Sequence, residues 1–256
     1  MRLTVTSLAL VLLLALTSAS AGFEPTKQVN LASFAYGPYS NYDDERGEHG
    51  LVLEIIKMSF ESQGYTVNID FLPHLRCLEM TKIGNYHGFF PVEHMHGLDS
   101  IFAYSEPIYD LNIGYCTKKT LKLEISDKSD LTNFTVGTVL GKEYNHELDN
   151  VSNVQQDMVR DDLLNMKKLY TDRVDVILID KYIAKYLLKN DLNEIADQFE
   201  FEQSLLVQTN QYLAMNRNTV GSAAKLDAFN RGLEQIVKDG TFTKLITRHI
   251  QSLGIE

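Results

Sequence analysis

The sequence predicts an α/β protein with two lobes, each built from a mostly parallel sheet with helices packed against it. Two stretches, residues 27–92 and residues 134–190, each alternate strand patterns with helix patterns, an order that favours parallel sheets covered by helices. One more strand and two helices follow at the C-terminus and are predicted to return to the first lobe.

The first stretch contains three predicted strands and two predicted helices. The strands are "KQVNLASF", "YTVNIDFL", in which apolar residues alternate, and the apolar run "HGFFPV". A helix begins after Gly50, carries one apolar face and ends at Gly64, in the left-handed position typical of a helix C-terminus. A shorter helix is predicted from Leu75 to about Ile83.

The second stretch repeats this order. Its strands are "FTVGTVLG", the weaker "NVSNVQQ" and "RVDVILID", which is rich in branched residues as buried parallel strands are. Helices are predicted from about Lys142, from Val159 to Tyr170, and over "KYIAKYLLKN".

The C-terminal segment has one predicted strand, "QYLAMNR", and two helices, "KLDAFNRGLEQIVKDG" and "TFTKLITRHIQSLG". Gly240 ends the first of these helices, and Thr241 is the predicted N-cap of the second. The apolar residues predicted to face inward from the first helix are Leu226, Phe229, Leu233 and Val237.

The first 21 residues form a predicted secretory signal peptide. Met1 and Arg2 precede the apolar run "LTVTSLALVLLLAL", and "ASA" at residues 19–21 is a small-residue cleavage site. The run is too short for a membrane span of about 20 residues, so we expect cleavage after Ala21 and export to the periplasm. Cleavage removes one Arg and no acidic residue, which moves the net charge from −10 to −11 and makes nucleic acid a poor partner.

Two cysteines, Cys77 and Cys116, leave two interpretations open. An oxidising compartment permits a disulfide between them, whereas two buried, unpaired thiols are equally compatible with the sequence.

Candidate binding residues follow four of the predicted strands. Open α/β sheets bind ligands outside the carboxyl ends of their strands. The residues at these ends are Phe34, Tyr36 and Tyr39 after the first strand, Glu93, His94 and His96 after "HGFFPV", Gly141 and Lys142 after "FTVGTVLG", and Asp180 after "RVDVILI". Gly141 and Lys142 also begin a predicted helix, where free backbone N–H groups favour an anion. Together these ends predict a cleft for a small polar organic molecule.

The order of these segments resembles the family 3 periplasmic solute-binding proteins. The matching stretches are "YGPYSNYDDERGEHGLVLEII", "GFFPV", "YSEPIYD", "FTVGTVLG", "DLLNMKKLYTDRVDVILIDKYIAKYLL" and the closing "LAMNRN…LDAFNRGLEQIVKDGTFTKLI". The resemblance implies the type 2 periplasmic-binding-protein fold, with two lobes that are joined by a two-strand hinge and close around a ligand. It places lobe 1 at residues 22–117 and 208–256, and lobe 2 at residues 118–207.

The resemblance also implies roles for individual residues. Tyr36 matches the ring that covers the ligand, with Tyr39 as a second candidate that otherwise packs locally, and Phe90 as a further stacking surface. Asp180 matches the carboxylate that accepts the ligand's ammonium group, with a cap of the following helix as the alternative role, and one side chain can serve both. Lys142, beside Gly141, matches the anion-binding turn or else faces solvent.

One departure from the family concerns its carboxylate-binding Arg, which clamps a ligand carboxylate with two hydrogen bonds. Leu98 or Asp99 fills that place here, so binding of a standard α-amino acid is in doubt. Arg76 is a candidate replacement, with a structural ion pair as its alternative.

The histidines His94 and His96, with Glu93, resemble part of a zinc or copper site. A metal needs three or four converging ligands, and only His74 or His146 could complete the set. We therefore expect neither a metal nor a cofactor, and interpret these histidines as cleft or surface residues.

The predicted function is that of a monomeric, non-enzymatic receptor for a small polar solute, an amino acid or a related amine or organic acid. Its expected membrane partner is an inner-membrane ABC transporter permease. A membrane sensor, such as a sensor kinase, cyclase or chemoreceptor, is the alternative partner. A cyclohexadienyl dehydratase-like enzyme is a third interpretation, although no catalytic set of residues is identified in the sequence.

Overall fold

The structure is a computed structural model that describes residues 27–121, 125, 127–142 and 148–254, with only the backbone described for residues 202–206. The predicted signal peptide lies outside the described residues. So do residues 143–147, which include His146 and follow the predicted helix start at Lys142. Among the described residues, no helix is both long and apolar enough to span a membrane.

Eleven strands are present in the part of the chain that the structure describes. They are β1 (Gln28–Ser33), β2 (Asn41–Asp43), β3 (Gly47–His49), β4 (Thr66–Phe71), β5 (Gly88–Val92), β6 (Phe102–Tyr104), β7 (Tyr109–Lys118), β8 (Thr135–Val139), β9 (Gln155–Val159), β10 (Val176–Asp180) and β11 (Phe199–Asn216).

Six α-helices have bounds within the described residues. They are α1 (Leu51–Ser62), α2 (His74–Lys82), α3 (Asp162–Tyr170), α4 (Lys181–Asn190), α5 (Ser222–Lys238) and α6 (Thr241–Ser252). Two 3₁₀ helices, Lys128–Asn133 and Asn193–Gln198, lie in the connections.

The main sheet runs in the order β4-β1-β5-β11-β7-β10-β8-β9, with β6 also paired to β11. The pairs of β1 with β4 and β5, and of β8 with β9 and β10, are parallel. The strands in the middle, β7 and β11, are antiparallel to their neighbours. The fold is therefore α/β with two lobes, one parallel group of strands in each.

The long strands β7 and β11 join the lobes as a two-strand hinge. The C-terminal part of β11 pairs with β5 and β6 in lobe 1, while its earlier part pairs with β7. Strand β7 in turn pairs with β10 of lobe 2. The lobe boundaries near residues 117 and 207 stay a prediction, because both strands run through them without a break.

Most predicted elements are confirmed to within a few residues. Strands β5 and β10 are buried at every position, as continuous apolar runs indicate. Gly64 has a positive φ of 74° directly after α1, as predicted for a helix end.

Four local predictions were wrong. Val237 is half exposed, and Ile236 takes its place on the buried face of α5. The N-cap of α6 is Gly240, so Thr241 is the first helical residue. Strand β9 begins at Gln155, because Asn153 has a positive φ of 69° and lies in a turn. Helix α3 begins at Asp162 because its N-cap is Asp161.

The cysteines are buried and unpaired, which is the second of the two interpretations left open by the sequence. The Cys77 thiol lies 3.2 Å from the Ser33 carbonyl oxygen in lobe 1. Cys116 lies on β7 and pairs with Ile177 of β10. Burial raises the pKa of Cys77 to about 11 and raises that of Cys116 as well, so both thiols are protonated at neutral pH.

Candidate functional site

A cavity of about 720 Å³ lies between the lobes, at the carboxyl ends of their strands. We call it the interlobe cavity. Lobe 1 supplies most of its apolar wall, including Phe34, Phe71, Leu75, Leu78, Met95 and Leu98. Among the described residues, its histidine and charged side chains are His74, Glu93, Lys142, Arg160, Asp161 and Asp162. A mostly apolar wall with a few convergent charges is typical of small-molecule sites.

The structure brings four of the predicted binding residues to this cavity. They are Tyr36, Glu93, Gly141 and Lys142. The other five predicted residues do not line it. They are Tyr39, Arg76, Phe90, His94 and Asp180.

Tyr36 and Lys142 bridge the cavity from opposite lobes. The Lys142 ammonium donates a hydrogen bond to the Tyr36 hydroxyl at 2.6 Å and lies 4.1 Å from the centre of the Tyr36 ring. The second contact places the ammonium against the negative face of the ring. The ring that the sequence predicts to cover a ligand therefore already holds a cation of the chain itself.

Asp180 is buried and fully engaged within the protein. Its side chain caps α4 by accepting hydrogen bonds from the backbone N–H groups of Tyr182 and Ile183. It also accepts bonds from the Tyr39 hydroxyl at 2.7 Å and the Asn112 N–H at 3.0 Å. Burial raises the pKa of Asp180, and these hydrogen bonds oppose that rise. The capping interpretation is confirmed, and the Tyr39 hydroxyl occupies one oxygen of this carboxylate.

Phe90, Arg76 and His94 are placed elsewhere for different reasons. Phe90 is completely buried in the core, because both faces of β5 are covered. Arg76 lies on the exposed surface of α2. The His94 ring packs against His96 and lies 2.9 Å from Asp99. No group of three or more His, Cys, Asp or Glu residues within the described ranges could hold a metal ion.

Two carboxylates of the site, Asp161 and Asp162, are absent from the sequence-based prediction. Asp161 caps α3 by accepting from the Leu164 N–H at 2.8 Å, and its other oxygen lies 2.9 Å from Arg160 Nε. Burial raises the pKa of Asp162 to about 6, with Lys142 opposing the rise and Glu93 adding to it. Both residues follow β9, so the strand-end rule would have found them had β9 been placed correctly.

His74 lines the same cavity at the start of α2. Its ring packs 4.5 Å from the Phe34 ring, centre to centre. Loss of hydration and the nearby Lys142 ammonium lower the pKa of His74 to about 4. At neutral pH it is therefore an uncharged hydrogen-bonding group.

Comparison with known proteins gives matches only at the level of structure. No family model matches the chain, and no curated protein sequence matches it. A histidine kinase sensor domain with similarity to periplasmic binding proteins superposes with a TM-score of 0.76 at 13% identity, covering 87% of this chain and 96% of that one. The substrate-binding protein of an amino acid ABC transporter gives 0.72 at 16% identity, with 88% and 99% covered.

The chain has the two-lobed fold of periplasmic binding proteins. The ancestral amino acid-binding protein AncCDT-1, a precursor of cyclohexadienyl dehydratase, shares it with a TM-score of 0.70 at 16% identity, covering 87% of this chain and 94% of that one. The structural superpositions establish the fold. Because the sequence identities are this low, the ligand must be argued from the interlobe cavity.

Proposed function

We propose that this protein is a periplasmic receptor that captures a small polar solute in the interlobe cavity and delivers it to an inner-membrane ABC transporter. One observation carries the proposal. The cavity, about 720 Å³ in volume, is lined by aromatic side chains from lobe 1 and by charged side chains from both lobes. A ligand that contacts both lobes stabilises their closed arrangement, because its binding energy depends on that arrangement.

The predicted signal peptide and the fold support the same location. Export after Ala21 would place the chain in the periplasm. The substrate-binding protein of an amino acid ABC transporter shares the fold. The proposed partners are therefore a solute and a permease, with the receptor acting as a monomer.

Sensing is a second candidate function. The observation that favours it is the structural likeness to a histidine kinase sensor domain, with a TM-score of 0.76. Deletion of the gene separates the two candidates. Loss of uptake of a labelled ligand supports transport, whereas intact uptake with loss of ligand-dependent transcription supports sensing.

Binding without catalysis is part of the proposal. In the described part of the cavity wall the groups suited to proton transfer are Glu93, Asp161, Asp162 and His74. Turnover of prephenate or arogenate by the purified protein would show that it is a dehydratase and would contradict this part of the proposal.

A ligand screen tests the receptor proposal. The mature chain, residues 22–256, is unfolded, freed of bound molecules and refolded, then heated with amino acids, amines and organic acids. A ligand at 100 times its Kd stabilises the native state by about 2.7 kcal/mol, which raises the melting temperature measurably. A hit should also reduce the radius of gyration in X-ray scattering. If no compound shifts the melting temperature, the receptor proposal fails.

A further inference from the structure

We propose that Asp162 and Glu93 form a cation site in the interlobe cavity, and that the ligand is an amine or guanidine without a carboxylate. This inference rests on the proposed receptor function and names its ligand class. It concerns Asp162, which the resemblance does not point to, and leaves Asp180 a structural role.

The two carboxylates come from opposite lobes. Glu93 follows β5 in lobe 1, and Asp162 is the first residue of α3 in lobe 2. Both line the interlobe cavity and interact electrostatically. A cation between them would be attracted to both lobes at once, which is the requirement for a ligand that closes the hinge.

Asp162 and its neighbour Asp161 differ in their hydrogen bonds within the described part of the chain. Its neighbour Asp161 is used by the α3 cap and by Arg160. No described residue donates a hydrogen bond to the Asp162 side chain, although that residue is only partly exposed to solvent. A buried carboxylate without donors is costly, and a ligand ammonium would remove that cost.

Three acidic groups and one cation act on the Asp162 carboxylate. Asp161, Glu93 and Asp180 act on it from three elements, whereas Lys142 is the cation that opposes them. Lys142 is itself held by the hydroxyl and the ring of Tyr36. Burial is the main cause of the raised pKa of Asp162, with Lys142 opposing the rise and the three acidic groups adding to it.

The remaining walls disfavour a carboxylate on the ligand. Leu98 lines the cavity, while Arg76 lies outside it. Among the described residues, the two cations of the wall are already bonded, Lys142 to Tyr36 and Arg160 to Asp161. A ligand carboxylate would therefore have to compete with Asp161 and Tyr36 for a charged partner. An apolar ligand body would instead contact Phe71 and Leu98.

Matched pairs of compounds test this ligand class directly. Titration calorimetry compares tyramine with tyrosine, agmatine with arginine, and putrescine with ornithine, each pair differing by one carboxylate. We expect the amine of at least one pair to bind at least tenfold more tightly than its amino acid. We expect Asp162→Asn and Glu93→Gln each to weaken that binding at least tenfold. Glu79→Gln, which removes an exposed carboxylate paired with Lys82 outside the cavity, should leave it unchanged.

The outcomes separate this inference from the receptor proposal. Tighter binding of the amino acid in every pair overturns the inference and leaves the receptor in place. The same holds if the only compounds that bind carry no amine or guanidine group. Amine binding that is unchanged in a folded Asp162→Asn variant, checked by circular dichroism, overturns the cation site. Absence of binding by every compound in both screens overturns the receptor proposal itself.

Discussion

The Tyr39 hydroxyl donates a hydrogen bond of 2.7 Å to the Asp180 carboxylate, and both side chains are almost fully buried. Tyr39 belongs to lobe 1 and Asp180 to lobe 2, so this bond joins the lobes. The same turn, residues 36–41, contacts lobe 2 twice more. Tyr36 accepts from Lys142, and the Asn41 amide donates to the Tyr186 hydroxyl at 2.7 Å. The aromatic turn that suggests ligand stacking in the sequence is thus also a bridge between the lobes.

Removing the Tyr39 hydroxyl should destabilise the protein. In Tyr39→Phe, Asp180 keeps its backbone donors but loses its bond across the lobes. We expect the free energy of unfolding in urea to fall by about 1–3 kcal/mol, the cost of losing a buried hydrogen bond to an ionisable group.

Tyr86→Phe is the matched control for this variant. Its hydroxyl makes a bond of similar length, 2.8 Å, to Asp70, but in a solvent-exposed position. We expect a change within about 0.5 kcal/mol there. Equal losses in the two variants would show that burial of the Tyr39–Asp180 bond adds nothing.

Neutralising Asp162 should stabilise the ligand-free protein at neutral pH. The pKa of Asp162 is about 6 in the folded protein, against about 3.9 in an unfolded chain. The folded state therefore binds the proton more tightly, and this group's contribution to stability is lost as pH rises from about 4 to about 6. The Asn side chain of Asp162→Asn does not ionise, so this variant does not lose stability as the pH rises. We expect its free energy of unfolding at pH 7 to exceed that of the parent protein by about 1–2 kcal/mol, after allowing for the weaker interaction with the helix dipole.

Measuring the stability of Asp162→Asn at two pH values tests this prediction. Urea unfolding at pH 4 should show little of the advantage that appears at pH 7, and Glu79→Gln should show none at either pH. An Asp162→Asn protein that is less stable than the parent at pH 7 would show that a favourable interaction of the carboxylate outweighs its burial.

The elements that the sequence predicts well carry local signals. Strand β10 is a short branched apolar run, and α5 has an apolar face at helical spacing. Strand β7 was not predicted, although Leu111, Ile113 and Tyr115 alternate as in a half-buried strand. The polar residues and Gly114 of β7 make this pattern less distinct. Its role as a hinge depends on pairing with β11, which is distant in sequence.

The candidate site was only partly predictable. The end of a strand indicates where a side chain lies, but not whether another side chain of the protein already bonds to it. Tyr36 and Lys142 lie at the cavity as expected. Asp180 also lies at a strand end, but its carboxylate already accepts a hydrogen bond from the Tyr39 hydroxyl. No local sequence pattern indicates this contact between distant residues. Asp162 was overlooked because the weak β9 pattern was placed too early, so that the predicted helix began before Asp162.

A methyl group at Gly232 should disrupt the packing of α5 on α1. A Cβ there would overlap the Ser59 carbonyl oxygen, a backbone atom that cannot rotate away. Overpacking costs about 1–3 kcal/mol or more, which exceeds the gain of about 1 kcal/mol from replacing a helical Gly with Ala. We expect Gly232→Ala to lower the free energy of unfolding by about 2 kcal/mol. Arg231→Ala, on the exposed side of α5, should change it by no more than about 0.5 kcal/mol.

Replacing Lys142 should raise the pKa of His74. The Lys142 ammonium disfavours protonation of His74, and burial of the imidazole contributes more strongly in the same direction. Lys142→Met keeps a flexible apolar stem over the Tyr36 ring but removes the charge. The pKa of His74 should therefore rise above about 4 while staying below the value of about 6.5 typical of histidine, because the burial remains. Titration of the imidazole carbon resonances by NMR measures this, with Lys82→Met as a control on the same helix. An unchanged His74 pKa in Lys142→Met would show that the ammonium does not approach the imidazole in solution.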